Sequence, residues 1–383
     1  MIEKQPVRTN QIGRKTMCIA HKDIGDIDRG GVCTLFKSLA RGLVQKDWNM
    51  HCITTQELNI DGVHVERLPN IEDPGLYSRQ ITQFILDTKP DVAECSNWRY
   101  ELLDLVRREH SESKIVVRAD PAAGTLFESA HDMEANEAEL CQKADLILAV
   151  SMFACRDVTK KYSLNNVKVV YNGIENIDDS LLGSDVINSG EVLFPAEDKS
   201  RKIDNESIDD FVDPNAINIM WIGKPTKMKG FDLLERIVES SPSNYNYIVN
   251  TGYPPKEVAW KPKNLKRCKF IRALEKVDQL KVLKRANVFL STSRVEGFGI
   301  VVAEALDMGL PVVLNANCEV YKEFLPNQAI SMVDCGDEQA TISQIEEAIS
   351  NKVNHSRNPK EFTQQTMVAH SIAHYEKLLE AKQ

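Results

Sequence analysis

The sequence lacks any apolar run approaching the ~20 residues that a bilayer-spanning helix needs. Its first fifteen residues, MIEKQPVRTNQIGRK, lack the apolar core of a signal peptide and read as a short lead-in. Nine cysteines are present, but no C-x-x-C pair and no zinc-ligand spacing, which argues against a structural zinc site or a disulfide framework. Cys18, Cys52 and Cys95 fall in apolar, strand-like runs, so the thiols are expected to be reduced and mostly buried, in a cytoplasmic protein. Positive charge is not in excess. With 47 Lys+Arg against 56 Asp+Glu, the net charge of −9 disfavours a nucleic-acid binder of the usual basic kind. Internal repeats and low-complexity tracts are also missing.

What is present is the make-up of a globular protein, with enough chain in 383 residues for two domains of ~150 residues each. Charge is unevenly spread. The stretch from Ile177 to Asn215 is strongly acidic, whereas Lys256 to Arg285 is rich in Lys and Arg. Each reads as a solvated face, and the basic stretch also as a wall that attracts an anionic ligand or surface. Apolar strand-like runs alternate with helical stripes from Lys15 to Tyr171. The rhythm breaks in the acidic segment and restarts at Ile217. Such alternation implies right-handed βαβ units and parallel sheets covered on both faces. The expected fold class is α/β, with two doubly wound Rossmann-like domains facing across a cleft. The expected divisions are a first Rossmann-like domain over 1–175, an acidic linker over 176–216, a second Rossmann-like domain over 217–358, and a C-terminal helix over 359–383.

Three stretches carry candidate chemistry. Ser293 to Pro311 (SRVEGFGIVVAEALDMGLP) reads as the end of a strand, a glycine turn at Gly297 and Gly299, and a helix stopped by Gly309 and Pro311. Such a helix start aims free backbone N–H groups and a positive dipole end outward, which suits a phosphate. Glu296 in the loop and Glu304 on the second helical turn add carboxylates for hydroxyls, so the stretch reads either as a sugar-nucleotide site or as an ordinary βα turn with two surface glutamates. The second stretch, Gly223 to Gly230 (GKPTKMKG), joins a strand to a helix and carries Lys224 and Lys229; it reads either as a plain surface loop or as two ammonium groups that would neutralise a departing diphosphate. It lacks the glycine spacing and terminal Lys-Ser/Thr of a P-loop. The third stretch, Asp28-Arg29-Gly30-Gly31-Val32, opens the first helix, where Gly30 and Gly31 let a ligand approach the backbone. Asp26 and Asp28 form an Asp-x-Asp open to two readings, a divalent ion bridging phosphates or a cap for the loop and helix.

Taken together, RVEGFGIVVAEAL resembles the Glu-x7-Glu motif of retaining GT-B glycosyltransferases of the group four family. RGGVCTLFKSLARGL, AELCQKADLILAVS, VKVVYNGIE and IGKPTKMKGFDLL resemble further segments of that family, in the same order, from about Met17 to Leu379. The resemblance implies that 1–175 is the acceptor-side domain, that 217–358 is the nucleotide-sugar-binding domain and that the helix over 359–383 packs back on the first domain, and it implies roles residue by residue. Glu304 holds the nucleotide ribose and Glu296 lies near the donor sugar. The backbone from Phe298 through Gly299 and Ile300 to Val301 binds sugar and diphosphate. Lys224 and Lys229 match the Arg/Lys pair on the diphosphate, Gly31 lets the first domain approach it, and Arg272 falls where the base contact is made.

Lys224 stands where arginine is usual, so bidentate phosphate binding is lost there. Asp120 stands where many members carry a histidine near the reacting sugar. Two roles are open to Asp120, a hydrogen-bonding or electrostatic one and a helix or turn cap, and His131 is a weaker substitute for the histidine. The linker is longer than the family's hinge. The implied reaction is metal-independent, retaining transfer of a hexose-type sugar from a nucleotide diphosphate donor, most commonly a UDP-sugar, to a hydroxyl acceptor. No cofactor beyond that co-substrate is expected. A lipid-linked acceptor would place the chain at a membrane surface, while a nucleic-acid acceptor is disfavoured by charge. Competing readings are a GT-B-like sugar-nucleotide epimerase or phosphorylase, and a non-catalytic sugar-nucleotide-binding protein.

Overall fold

The computed structural model describes residues 13–25, 30–108, 111–126, 131–194, 199–251, 267–351 and 359–381. The first half runs β1 (Thr16–Ala20), α1 (Gly31–Gln45), β2 (Asn49–Thr54), β3 (Val63–Arg67), α2 (Pro74–Thr88), β4 (Val92–Ser96), α3 (Leu103–Arg107), β5 (Lys114–Ala119), α4 (Ala123–Leu126), α5 (His131–Lys143), β6 (Leu146–Ala149), α6 (Met152–Tyr162) and β7 (Val167–Val169). Its strands form one parallel sheet in the order β3-β2-β1-β4-β5-β6-β7. Central strands β1 and β4 are buried at every position, because helices cover both faces.

The acidic segment does more than connect. It forms β8 (Val186–Ile187), β9 (Glu191–Phe194), β10 (Lys199–Lys202) and β11 (Glu206–Ser207). β8 and β11 make a small antiparallel ribbon, and β9 and β10 pair antiparallel as well. The second half then runs β12 (Ile217–Gly223), α7 (Phe231–Ser240), β13 (Tyr245–Thr251), β14 (Cys268–Arg272), α8 (Lys276–Arg285), β15 (Val288–Ser291), α9 (Ile300–Asp307), β16 (Val312–Asn315), β17 (Ile330–Val333), α10 (Glu338–Ser350) and α11 (Gln364–Glu380). Its sheet order is β10-β9-β14-β13-β12-β15-β16-β17, with β9 added antiparallel to β14 and the six strands from β14 to β17 parallel.

Both sheets therefore reverse their winding once, between β1 and β4 and between β12 and β15. In open α/β sheets the crevice beyond the carboxyl ends of the strands at such a reversal is where ligands sit. The loops leaving these strands hold Asn97, Lys224, Lys229 and Glu296, and the loop after neighbouring β5 holds Asp120.

Several boundaries differ from expectation. The helix expected over Tyr100–His110 covers Leu103–Arg107 among the described residues, because Tyr100 takes a left-handed φ of 43° that a helix cannot contain. Residues 320–324 form a 3-10 turn rather than an α-helix. The last helix starts at Gln364, not Pro359, where the Thr363 side chain accepts from the backbone N–H of Thr366. That helix, α11, crosses back to α1. Gly42 lies so close to it that a Cβ there would stand 2.3 Å from Val368 Cγ2. The Tyr375 ring meets Trp48 edge-on at 5.8 Å, and Lys15 pairs with Glu376 at 2.6 Å. All nine cysteines are free, seven of them buried. Among the described residues, no helix is long and apolar enough to cross a membrane.

Candidate active site

Helix α9 begins at Gly299, whose φ of 102° takes the chain through a region that side chains avoid. Among the described residues, no side chain caps α9 and none caps α1 at Gly30. The two helix starts meet across the domain boundary, since a Cβ on Gly31 would lie 3.5 Å from Ile300 Cδ1. Two positive helix ends therefore point into one crevice, which favours a polyanion between them. Phe298 does not face that crevice with its ring. It is buried among Phe324 (5.2 Å), Phe362 (5.0 Å) and Tyr171 (6.1 Å), an aromatic cluster that pins the glycine turn and leaves its backbone in the crevice.

The lysine loop reaches the same place. Gly230, with φ 66°, packs so tightly that a Cβ would stand 1.9 Å from Thr292 O, and this contact locks the β12–α7 loop to the end of β15. Lys229 Nζ then donates to both carboxylate oxygens of Glu296 at 2.6 Å, and Ser293 Oγ donates to Glu296 Oε1 at 2.7 Å. Lys224 is half-buried. Burial foremost, and then the nearby Lys229 and Arg99 cations, hold its ammonium below the usual lysine range against the pull of Cys33 and Asp23. Asp120 comes from the opposite domain and lies directly against the glycine turn. A Cβ on Gly297 would be 2.0 Å from Asp120 Oδ1. Burial, then the Glu296 carboxylate, push the Asp120 carboxyl up to about 6, with Lys229 opposing. Asp120, Glu296 and Lys229 are thus one electrostatically linked group assembled from both domains.

Beside it a cleft of about 240 Å³ runs between α1 and α9, with Lys37, Arg41, Ala273, Lys276 and Glu304 among its walls. Glu304 is 5% exposed and is held by Lys276 Nζ at 2.8 Å and Gln279 Nε2 at 3.2 Å. Arg272 is not part of this wall. Its guanidinium pairs with Glu191 at 2.6 Å, because antiparallel β9 sets Glu191 opposite it in register. The chain immediately after it, from Ala273 to Lys276, lines the cleft instead. Asp26, Asp28 and Arg29 lie outside the described residues, as does the side chain of His131 at the start of α5.

Other participants escape a reading of the sequence. Ser293 sits inside the motif stretch but carries no signal of its own. Lys276 and Gln279 lie in the basic stretch, four and seven residues after Arg272, and their role depends on α8 lying beside α9. Asn97 and Glu137 fasten the Asp120 loop through long-range bonds that no spacing reveals.

Comparison with known proteins gives a consistent picture. Residues 211–366 match the family model of the glycosyl transferases group 1. The "uncharacterized glycosyltransferase MJ1607" of Methanocaldococcus jannaschii is 23% identical over 317 residues, covering 75% of this chain and 77% of the relative. Sucrose-phosphate synthase from Thermosynechococcus elongatus shares the fold, with a TM-score of 0.72 at 13% identity, covering 96% of this chain and 100% of that one. HepE of Anabaena, solved in complex with UDP and glucose, superposes with a TM-score of 0.66 at 14% identity over 96% and 98% of the two chains. The chain thus has the two-domain GT-B fold of these structures, and its residues 211–366 are similar to the glycosyl transferases group 1 domain.

Proposed function

We propose that the protein is a retaining hexosyltransferase that moves a sugar from a nucleoside diphosphate donor to a hydroxyl acceptor such as a glycan, glycolipid or small molecule. The observation that carries this reading is the assembly of Lys229, Glu296 and Asp120 from both domains beside the starts of α1 and α9. A UDP-sugar is the proposed donor, in keeping with the UDP and glucose in the Anabaena HepE structure. Glu304 takes the ribose hydroxyls in the cleft, and the diphosphate lies between the starts of α1 and α9.

In the reaction the bond from the anomeric carbon to the distal phosphate oxygen breaks, with its electron pair leaving on the diphosphate. The acceptor oxygen bonds to the same face of the anomeric carbon, and its proton passes to the departing phosphate oxygen. Lys224, Lys229 and the α9 end meet the negative charge that develops on the leaving group, where fixed charges act without reorganisation. Glu296, held by Lys229 and Ser293, orients the donor sugar. Asp120 offers an acceptor for a sugar hydroxyl and a negative charge beside the electron-poor ring. No metal is needed for these steps, so activity is expected to survive EDTA.

A panel of nucleotide sugars screened by thermal shift identifies the donor, and that donor is then offered to glycan, glycolipid and small-molecule acceptors. Lys229→Ala is expected to lower kcat by roughly 10²–10³. Wild-type turnover in that variant, an epimer rather than a glycoside as product, or loss of activity in EDTA would each remove part of the proposal.

A further inference from the structure

The loop that delivers Asp120 is fastened by a buried polar chain. Asn97 is fully buried at the end of β4. Its Oδ1 accepts from the backbone N–H of Asp120 at 3.0 Å, and its Nδ2 donates to the Asp120 carbonyl at 3.1 Å. Both backbone groups of one residue are therefore gripped by one side-chain amide, which fixes the position and orientation of that residue's backbone. Asn97 Nδ2 also donates to Glu137 Oε1. Glu137, on α5, is fully buried too. Its Oε2 accepts from Ala123 N at 2.9 Å and from Tyr162 Oη at 2.6 Å. One carboxylate thus ties down the far end of the same loop while orienting the amide that holds the near end.

Glu137 has no cation among these partners, and burial raises its carboxyl above the usual range. A buried carboxylate held only by neutral donors is a costly anchor for a loop, and ordinary turn fastening does not require one. The placement of the loop matters because Asp120 Oδ1 has to fit against Gly297 of the other domain.

Resting on the transferase reading above, we propose that Asn97 and Glu137 are positioning residues that set Asp120 against the donor-side glycine turn. Asn97 is the direct holder and Glu137 the residue that orients Asn97. The charged groups facing Asp120 are Glu296 and Lys229 from the second domain and Glu137 and Arg118 from its own. Removing the Asn97 grip lets the carboxyl swing toward solvent and away from Glu296, so its titration moves back toward the ordinary aspartate range.

The test compares wild type, Asn97→Ala and Glu137→Gln as full-length protein. Asn97→Ala is expected to lower kcat by roughly a hundredfold, the cost of a misplacement of about 1 Å, with donor KM held within about threefold. Glu137→Gln keeps one acceptor oxygen and loses one of its three bonds, and falls in between. Independently of turnover, the Asp120 carboxyl is followed by ¹³C NMR, assigned by its loss in Asp120→Asn. A midpoint near 6 in wild type that moves lower in Asn97→Ala supports the inference. A wild-type kcat, or an unmoved midpoint in both variants, overturns it. Should Asn97→Ala fail to fold, Glu137→Gln carries both readouts. Wild type inactive with every donor would sink the transferase reading instead, and the NMR midpoint would still decide the positioning.

Discussion

Asp120→Asn is expected to make the protein more stable and far less active at once. The carboxyl sits against Gly297, near Glu296, with its pKa raised from 3.8 to about 6. A carboxylate with a raised folded-state pKa binds more protons folded than unfolded between those two values. It therefore contributes no penalty below pH 4, a growing one from pH 4 to 6, and a constant one above. Two units correspond to about 3 kcal/mol at ~1.4 kcal/mol per unit. Part of that is lost to solvent screening, because Asp120 is only half-buried, so about 1–3 kcal/mol is expected. Asparagine removes the charge, keeps the volume, and leaves the backbone bonds to Asn97 in place. The variant should match wild type in thermal melting at pH 4 and melt a few degrees higher at pH 7, while kcat falls by roughly 10²–10³. Denaturation scans at both pH values, with kinetics at pH 7, make the check. A variant that is less stable at pH 7, or equally shifted at both pH values, would refute the electrostatic reasoning. Unchanged kcat would remove Asp120 from the chemistry.

Three other outcomes follow from single contacts. Gly297→Ala places a methyl 2.0 Å from Asp120 Oδ1 across the domain boundary, so steady-state kinetics should show kcat down at least about tenfold while melting changes little, because the clash relaxes when the domains part. Glu304→Gln weakens a charged hydrogen-bond site in the cleft, and donor KM should rise about 10- to 100-fold with kcat nearly held. Glu94→Gln strands the Arg118 guanidinium, buried at 1% exposure and bound to Glu94 at 2.8 Å. The same pair holds α11 through Ser371 and Tyr375, each 3.1 Å from Arg118. Urea unfolding should show a loss of about 3–5 kcal/mol.

Which features were legible follows from what each depends on. The parallel strands of the two sheets stand out as short apolar runs because helices bury both faces, as in Thr16–Ala20 and Val288–Ser291. The helix starts at Gly31 and Ile300 are legible because glycine marks the turns. The acidic segment hid its strands because β10, Lys-Ser-Arg-Lys, is an exposed edge with no apolar alternation. The Arg272–Glu191 pair depends on how β9 registers against β14, a long-range fact that no local pattern shows. Glu296 and Lys229 could be singled out from local motifs. Their pairing with each other, and the approach of Asp120 to Gly297, are long-range facts of domain docking. Asn97 and Glu137 are polar residues buried by tertiary contacts, and nothing local distinguishes them from surface residues.

The most direct measurement is the anomeric configuration of the product, read by ¹H NMR during turnover of an α-linked UDP-hexose with its best acceptor. Same-face attack gives an α-glycoside as the first product, formed without added metal. A β-glycoside as the first product would contradict same-face attack. Hydrolysed or epimerised sugar with no glycoside at all would contradict the transfer itself.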